Sequence, residues 1–239
     1  MATFVLVHGA WHGSWCWDPL VPELEALGHG AIAPELPSDD PDASLEDYAA
    51  VVVDSLEGVE DDVVVVGHSL AGLTIPLVPE RRPVAALVFL AAFVPRPGVS
   101  IEEEFEQGGF QLAPGFDAGR TIDELGRSRL DPTKAADALF HDLDPEAAAA
   151  AAARLRPQGQ RSQQGPHPLS SWPDVPSHFI HCTLDKSHTR EFDAAHARER
   201  LGVEPIEIES GHSPFLSQPH ALAAVLDGVA ALGGGSRRG

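Results

Sequence analysis

Ser69 stands in Gly67-His68-Ser69-Leu70-Ala71-Gly72, directly after the valine-rich run at 62–66. A serine on a sharp strand-to-helix turn holds its Oγ clear of the backbone at the carboxyl end of a strand, where open α/β sheets bind ligands. Such a turn is tight and needs small neighbours. Gly67 supplies one; Ala71 takes the second position, where glycine is commoner, with Gly72 just behind. The short match alone recurs by chance, and a serine capping an ordinary βα turn is the alternative. The strand in front of it favours a nucleophile.

A serine hydroxyl is a weak nucleophile until a base removes its proton. On this kind of sheet the order along the chain is serine, acid, histidine. The chain has 12 histidines, most of them expected in loops or on the surface. His212, in Glu209-Ser-Gly-His-Ser-Pro-Phe-Leu, falls in the loop after the last predicted strand, whereas His181, His188, His196 and His220 fall in a strand or at helices. The acid should follow a strand between Ser69 and His212, to orient the imidazole and stabilise its cation. Asp185 follows the predicted strand at 177–183; Glu191 and Asp193 lie in the next helix and should point elsewhere. The stretch AAFVPRPG after the preceding strand holds no carboxylate. Among 36 acidic residues, Asp185 is the expected third member.

Attack on a carbonyl creates an oxyanion that two backbone N–H groups must meet. Leu70, after the nucleophile, is one expected donor; Ala10, in the His8-Gly9-Ala10 turn after the first strand, is the other. Gly9 allows close backbone approach. A phosphate cradle is disfavoured, since neither G-x-G-x-x-G nor a lysine-bearing P-loop is present. Trp11, Trp15 and Trp17 follow this turn; Trp11 is expected at a pocket wall, the other two in packing. Gly9, Trp11, His68 and Phe93 are the expected substrate contacts.

These residues require a parallel sheet to bring them together. Short β-branched runs alternate with helical patterns, which predicts α/β architecture with a mostly parallel, doubly wound sheet. Strands are predicted at 3–7, 31–33, 62–66, 84–89, 177–183 and 204–208, and helices at 18–27, from Ser44 to about Gly58, at 190–201 and at 218–232. The rhythm is lost between 95 and 176, which reads as a helical lid insertion containing a seven-alanine run. The organisation is therefore a core at 1–94 and 177–232, a lid at 95–176 and a flexible tail at 233–239. Phe93, Phe105, Phe110, Leu112, Phe116 and Phe140 are candidates for an apolar pocket, and each is equally at home in lid packing.

The chain has 239 residues, of which 43% are apolar, enough for a sizeable core. Its 16 basic and 36 acidic residues give a formal charge of −20, which disfavours nucleic acid and acidic membranes as partners. Two cysteines, Cys16 and Cys182, make no disulfide framework or metal motif and read as buried thiols. The opening stretch does not read as a leader, and no apolar run is long enough to span a bilayer, so a cytoplasmic protein is expected. A homodimer stays open.

Taken together, FVLVHGAWHGSWCW, VVVVGHSLAG, LDKS and SGHSPFLSQP resemble the α/β-hydrolase superfamily. More narrowly they resemble its branch of plant methyl esterases, hydroxynitrile lyases and small bacterial esterases. The resemblance spans the core and matches the lid poorly. It implies a cofactor-free enzyme with a Ser69–His212–Asp185 triad, oxyanion donors at Ala10 and Leu70, and a small-molecule ester or lactone as substrate. The lyases of the branch carry a threonine after the first-turn histidine and a lysine after the catalytic one; this chain has Gly9 and Ser213 there. Both departures favour ester hydrolysis, and the apolar residues of the lid favour small, neutral, largely apolar esters or lactones. Lyase chemistry, acyl transfer and a non-catalytic ligand-binding role are the alternatives.

Overall fold

The computed structural model describes residues 1–60, 62–116 and 119–233. Of the expected tail at 233–239, residues 234–239 lie outside the described residues. Six strands form one sheet: β1 (Thr3–Val7), β2 (Gly30–Ile32), β3 (Val63–His68), β4 (Ala86–Leu90), then β7 (Ser177–Cys182) and β8 (Ile206–Ile208). Their order is β2-β1-β3-β4-β7-β8 and every pairing is parallel. This is the expected α/β fold. A separate antiparallel hairpin pairs β5 (Arg120–Ile122) with β6 (Ser128–Leu130).

The unbroken apolar character of β1, β3 and β4 follows from burial on both faces. Phe4, Leu6, Val64, Val66, Val88 and Leu90 point to one side, where they meet Leu24 of α1 (Val21–Ala26) and Leu222, Leu226 and Val229 of α8 (Pro219–Gly233). Val5, Val7, Val63, Val65, Leu87 and Phe89 point to the other, against Tyr48 and Val52 of α2 (Leu45–Asp54). Alternation along each strand thus places helices on both faces. Cys16 and Cys182 are free and buried.

α2 begins at a full capping box: Asp47 N–H donates to Ser44 Oγ, and the Asp47 carboxylate accepts from Ser44 N–H. After Ser69, where a helix was expected, the chain forms two short 3₁₀ turns, Ser69–Leu73 and Ile75–Leu77. Pro76 and Pro79 remove N–H donors and crowd the preceding turn, so an α-helix cannot propagate there. The expected helix at 190–201 is α6 (Arg190–Ala195) running into one wider π turn at His196–Arg200.

Between β4 and β7 lie α3 (Ile101–Glu106), the β5–β6 hairpin, α4 (Pro132–Leu139) and α5 (Pro145–Ala153). α4 and α5 pack through Ala135, Leu139, Phe140, Ala148, Ala151 and Ala152, so the alanine run allows close helix contact. α7 (Pro214–Ser217) precedes α8. Among the described residues no helix is long and apolar enough to cross a membrane.

Two glycines separate close approach from open space. A Cβ on Gly72 would collide with the Phe93 carbonyl oxygen and touch the Ala92 side chain. One on the exposed Gly228, inside α8, would meet nothing within 4 Å. We expect Gly72→Ala to cost about 3 kcal/mol or more, since backbone must move, and Gly228→Ala to gain about 0.5–1 kcal/mol. Urea unfolding of both variants checks this; equal midpoints would contradict it.

Candidate active site

Ser69 directly follows β3 at the centre of the sheet, half-buried, with φ +54°. That left-handed conformation costs an L-residue roughly 1–3 kcal/mol and persists only where its surroundings over-determine it. Among the described residues, the other non-glycine positive φ values are Trp11 (61°) and Ala91 (42°). All three lie just past the carboxyl ends of β1, β3 and β4, so the strain is concentrated on one edge of the sheet.

His212 follows β8 and is 2% exposed. Its carbonyl accepts a bond from His68 Nε2–H at 2.9 Å, which brings the His212 loop against the residue before Ser69. His212 Nδ1–H donates to Asp185 Oδ2 at 2.7 Å. The other Asp185 oxygen accepts from the backbone N–H of Ser187 at 2.6 Å and of His188 at 3.2 Å. Burial would raise the Asp185 carboxyl, but the His212 charge and hydrogen bond, the His188 charge and the Ser187 N–H outweigh it and hold it at about 2.

The turn after β1 is clamped by its own histidines. Leu36 N–H donates to His8 Nε2 at 3.2 Å, which leaves the proton on Nδ1 to donate to the Gly9 carbonyl at 3.0 Å. His12 Nδ1–H donates to the Ala10 carbonyl at 2.8 Å. Burial, opposed by that bond, holds the His12 imidazole down at about 3, and burial together with the His212 and His12 charges holds His68 well below its usual range. Both rings are therefore neutral N–H donors. In a trans peptide the carbonyl and the next N–H point opposite ways, so fixing the Gly9 carbonyl also aims Ala10 N–H. Phe93 N–H donates to the Ser69 carbonyl at 3.2 Å and aims Leu70 N–H by the same geometry.

A narrow cavity opens over this edge. Ser69, Ala10 and Leu70 line it, with Trp11 and Phe93. Phe105, Phe110, Leu112 and Phe116 roof it from the segment between β4 and β7. Gly9 and His68 were expected to touch substrate, but the structure places them beneath the floor. A Cβ on Gly9 would sit 2.9 Å from Ser69 Cβ, and His68 is fully buried with its Nε2 spent on His212. Phe140 packs between α4 and α5 instead of lining the cavity. Trp17 is buried in the core, while Arg154 lies over the Trp15 ring at 4.3 Å.

Three positions were not singled out from sequence. Asp193 does not point away from the site: its carboxylate is buried between His188 and His181. His188 itself lines the cavity. Asp142, between α4 and α5, accepts from Gly211 N–H at 2.7 Å and Ser210 Oγ–H at 3.2 Å, beside His212. A loop carboxylate among 36 acidic residues gives no sequence signal. Among the described residues no cluster of three or more His, Cys, Asp or Glu could hold a metal ion.

A family model described as "Alpha/beta hydrolase family" matches residues 4–225. This chain belongs to that family. The alpha/beta hydrolase is 32% identical over 250 residues to salicylic acid-binding protein 2 of Nicotiana tabacum, covering 93% of this chain and 95% of that protein. It is 26% identical over 246 residues to methylesterase 17 of Arabidopsis thaliana, covering 93% and 89%. Among solved structures, polyneuridine aldehyde esterase superposes with a TM-score of 0.82 at 26% identity, covering 96% of this chain and 99% of that one.

The Asp185 carboxyl fixes a pH signature. Its folded value, about 2, lies below the ordinary 3.8, so its stabilisation is full above about pH 4 and is lost as pH falls toward 2. We expect Asp185→Asn to cost about 2 kcal/mol at pH 7 and to flatten the loss of stability in that acid window. Parallel melting-temperature curves for wild type and variant would contradict it.

Proposed function

We propose that this alpha/beta hydrolase cleaves small, neutral, largely apolar carboxylic esters or lactones through an acyl-enzyme on Ser69. The observation that carries the reading is the His212–Asp185 bond of 2.7 Å, buried and anchored to His68 beside a strained, half-exposed serine. The relatives include a methylesterase and an esterase, which supports ester hydrolysis here.

The chain is an ester hydrolase, and its residues divide the work as follows. His212 Nε2 takes the Ser69 proton while Oγ attacks the ester carbonyl. Asp185 holds the imidazole tautomer and stabilises the cation that forms. Ala10 N–H and Leu70 N–H, aimed by the clamped carbonyls of Gly9 and Ser69, bind the oxyanion. As the tetrahedral centre collapses, His212 gives its proton to the leaving alcohol. A water deprotonated by His212 then attacks the acyl-enzyme, releasing the acid and restoring Ser69. Acyl transfer differs only in the nucleophile at this last step.

Residues 95–176 serve as a lid on a core formed by 1–94 and 177–232. The aromatic roof and the Trp11 and Phe93 walls exclude water and favour apolar acyl groups. The acidic surface and two buried free thiols fit a cytoplasmic setting.

Hydrolysis of a panel of short-chain aryl, methyl and lactone esters tests the reading. Ser69→Ala should lose at least about 10⁴-fold in kcat while circular dichroism stays native, and a phosphonate serine reagent should label wild type once and the variant not at all. Undiminished turnover in Ser69→Ala would overturn it.

A further inference from the structure

A second histidine–carboxylate pair stands beside the first, and ester cleavage as described leaves it unused. His188 Nδ1–H donates to Asp193 Oδ1 at 3.1 Å, while His181 Nδ1–H takes the other oxygen at 2.8 Å. The Asp193 side chain is 0% exposed and that of His188 1%. A carboxylate this deep is costly to bury, and here it is committed to two imidazoles. The His188 ring is wedged between Phe93 and Phe192, at 5.0 and 4.9 Å between centroids, and lies 5.4 Å from the His212 ring. With Nδ1 spent on Asp193, Nε2 is what the ring offers to the cavity it lines. Ser187, next in the chain and also lining the cavity, has a buried Oγ with no hydrogen-bond partner. Two polar groups thus adjoin the His212–Asp185 pair in a cavity whose other polar lining, besides Ser69, is Arg120, Ser128 and Gln163.

We propose that His188 and Ser187 form a polar subsite that binds a second acceptor oxygen of the ester, a ketone carbonyl within a few bonds of the scissile carbonyl. Asp193 is the positioning residue that fixes the His188 ring. The proposal rests on the reading that Ser69 attacks an ester in this cavity. It narrows the substrate class to neutral ketoesters, because an unpaired buried Ser187 hydroxyl beside the His188 imidazole discriminates against a chain that cannot satisfy it. Donation from Nε2 requires the imidazolium. Burial lowers the His188 pKa, but the Asp193 hydrogen bond and charge, with the Asp185 charge, outweigh it and raise it. Other titratable groups around it are His181 on β7, His196 at the end of α6, His68 at the end of β3 and His212 after β8.

The test compares kcat/KM for methyl 3-oxobutanoate and 4-oxopentanoate with that for methyl butanoate and pentanoate. The ratio of keto to plain ester cancels any pH dependence of the ester-cleaving step, which both substrates share. Wild type should prefer at least one keto ester, and His188→Leu should cut that preference about 10-fold or more, with His188→Gln recovering part of it. In wild type the ratio should be high at low pH and fall as pH rises through the raised His188 value; in His188→Leu it should be flat. An equal ratio in wild type and a folded His188→Leu overturns the subsite while leaving the esterase standing. Should His188→Leu not fold, a pH-independent ratio in wild type overturns it alone. Absence of Ser69-dependent turnover on every ester would instead overturn the esterase reading, and the subsite with it.

Discussion

The left-handed backbone at Ser69 is the constraint on which the site depends. A β-strand continues straight unless something turns it, and here the turn comes at the residue directly after β3. The price is met locally by close backbone approach: Gly72 passes over the Phe93 carbonyl, Phe93 N–H holds the Ser69 carbonyl, and only a glycine at position 9 leaves room for Ser69 Cβ. None of these contacts tolerates relaxation, because β1, β3 and β4 are buried on both faces and packed against helices. The rigidity of the sheet is therefore what keeps a half-exposed serine in an unfavourable conformation.

Charge is distributed around that serine by burial and by tautomer. His8, His12 and His68 use imidazole N–H groups to hold backbone carbonyls at Gly9, Ala10 and His212, a job for which a neutral ring suffices. His212 and His188 instead face carboxylates, where a proton gained is stabilised. The two carboxylates differ in what supports them. Asp185 is shared between one imidazole and two backbone N–H groups, so it serves His212 alone among the side chains. Asp193 divides its oxygens between His188 and His181. Neighbouring imidazoles thus keep separate carboxylate partners.

The parallel sheet, the serine turn and the positions of Asp185 and His212 could be read from the chain, because each has a local signature. The valine run predicts a doubly buried strand, and the turn after it needs small residues. The acid and histidine follow strands in a fixed order. What could not be read depends on contacts between distant segments. His8, His12, His29, His68, His167, His181, His188, His196 and His212 are all buried, whereas loops and surface were expected for most histidines. Sequence shows a histidine but not the carbonyl or carboxylate that offsets its desolvation. Asp193 was discounted because it sits in a helix, yet the first turn of α6 points it back beneath β7. The missing helix after Ser69 was legible in principle, since Pro76 and Pro79 forbid it.

The segment between β4 and β7 does more than roof the cavity. Asp142 receives Gly211 N–H and Ser210 Oγ–H, and so holds the loop that carries His212. At the opposite wall, Arg156 N–H donates to the Trp11 carbonyl at 2.7 Å, and Trp11 Nε1–H donates to Ser128 Oγ of β6 at 3.0 Å. The loop that carries His212 and the turn after β1 are thus each hydrogen-bonded to the same intervening segment whose aromatic residues roof the cavity.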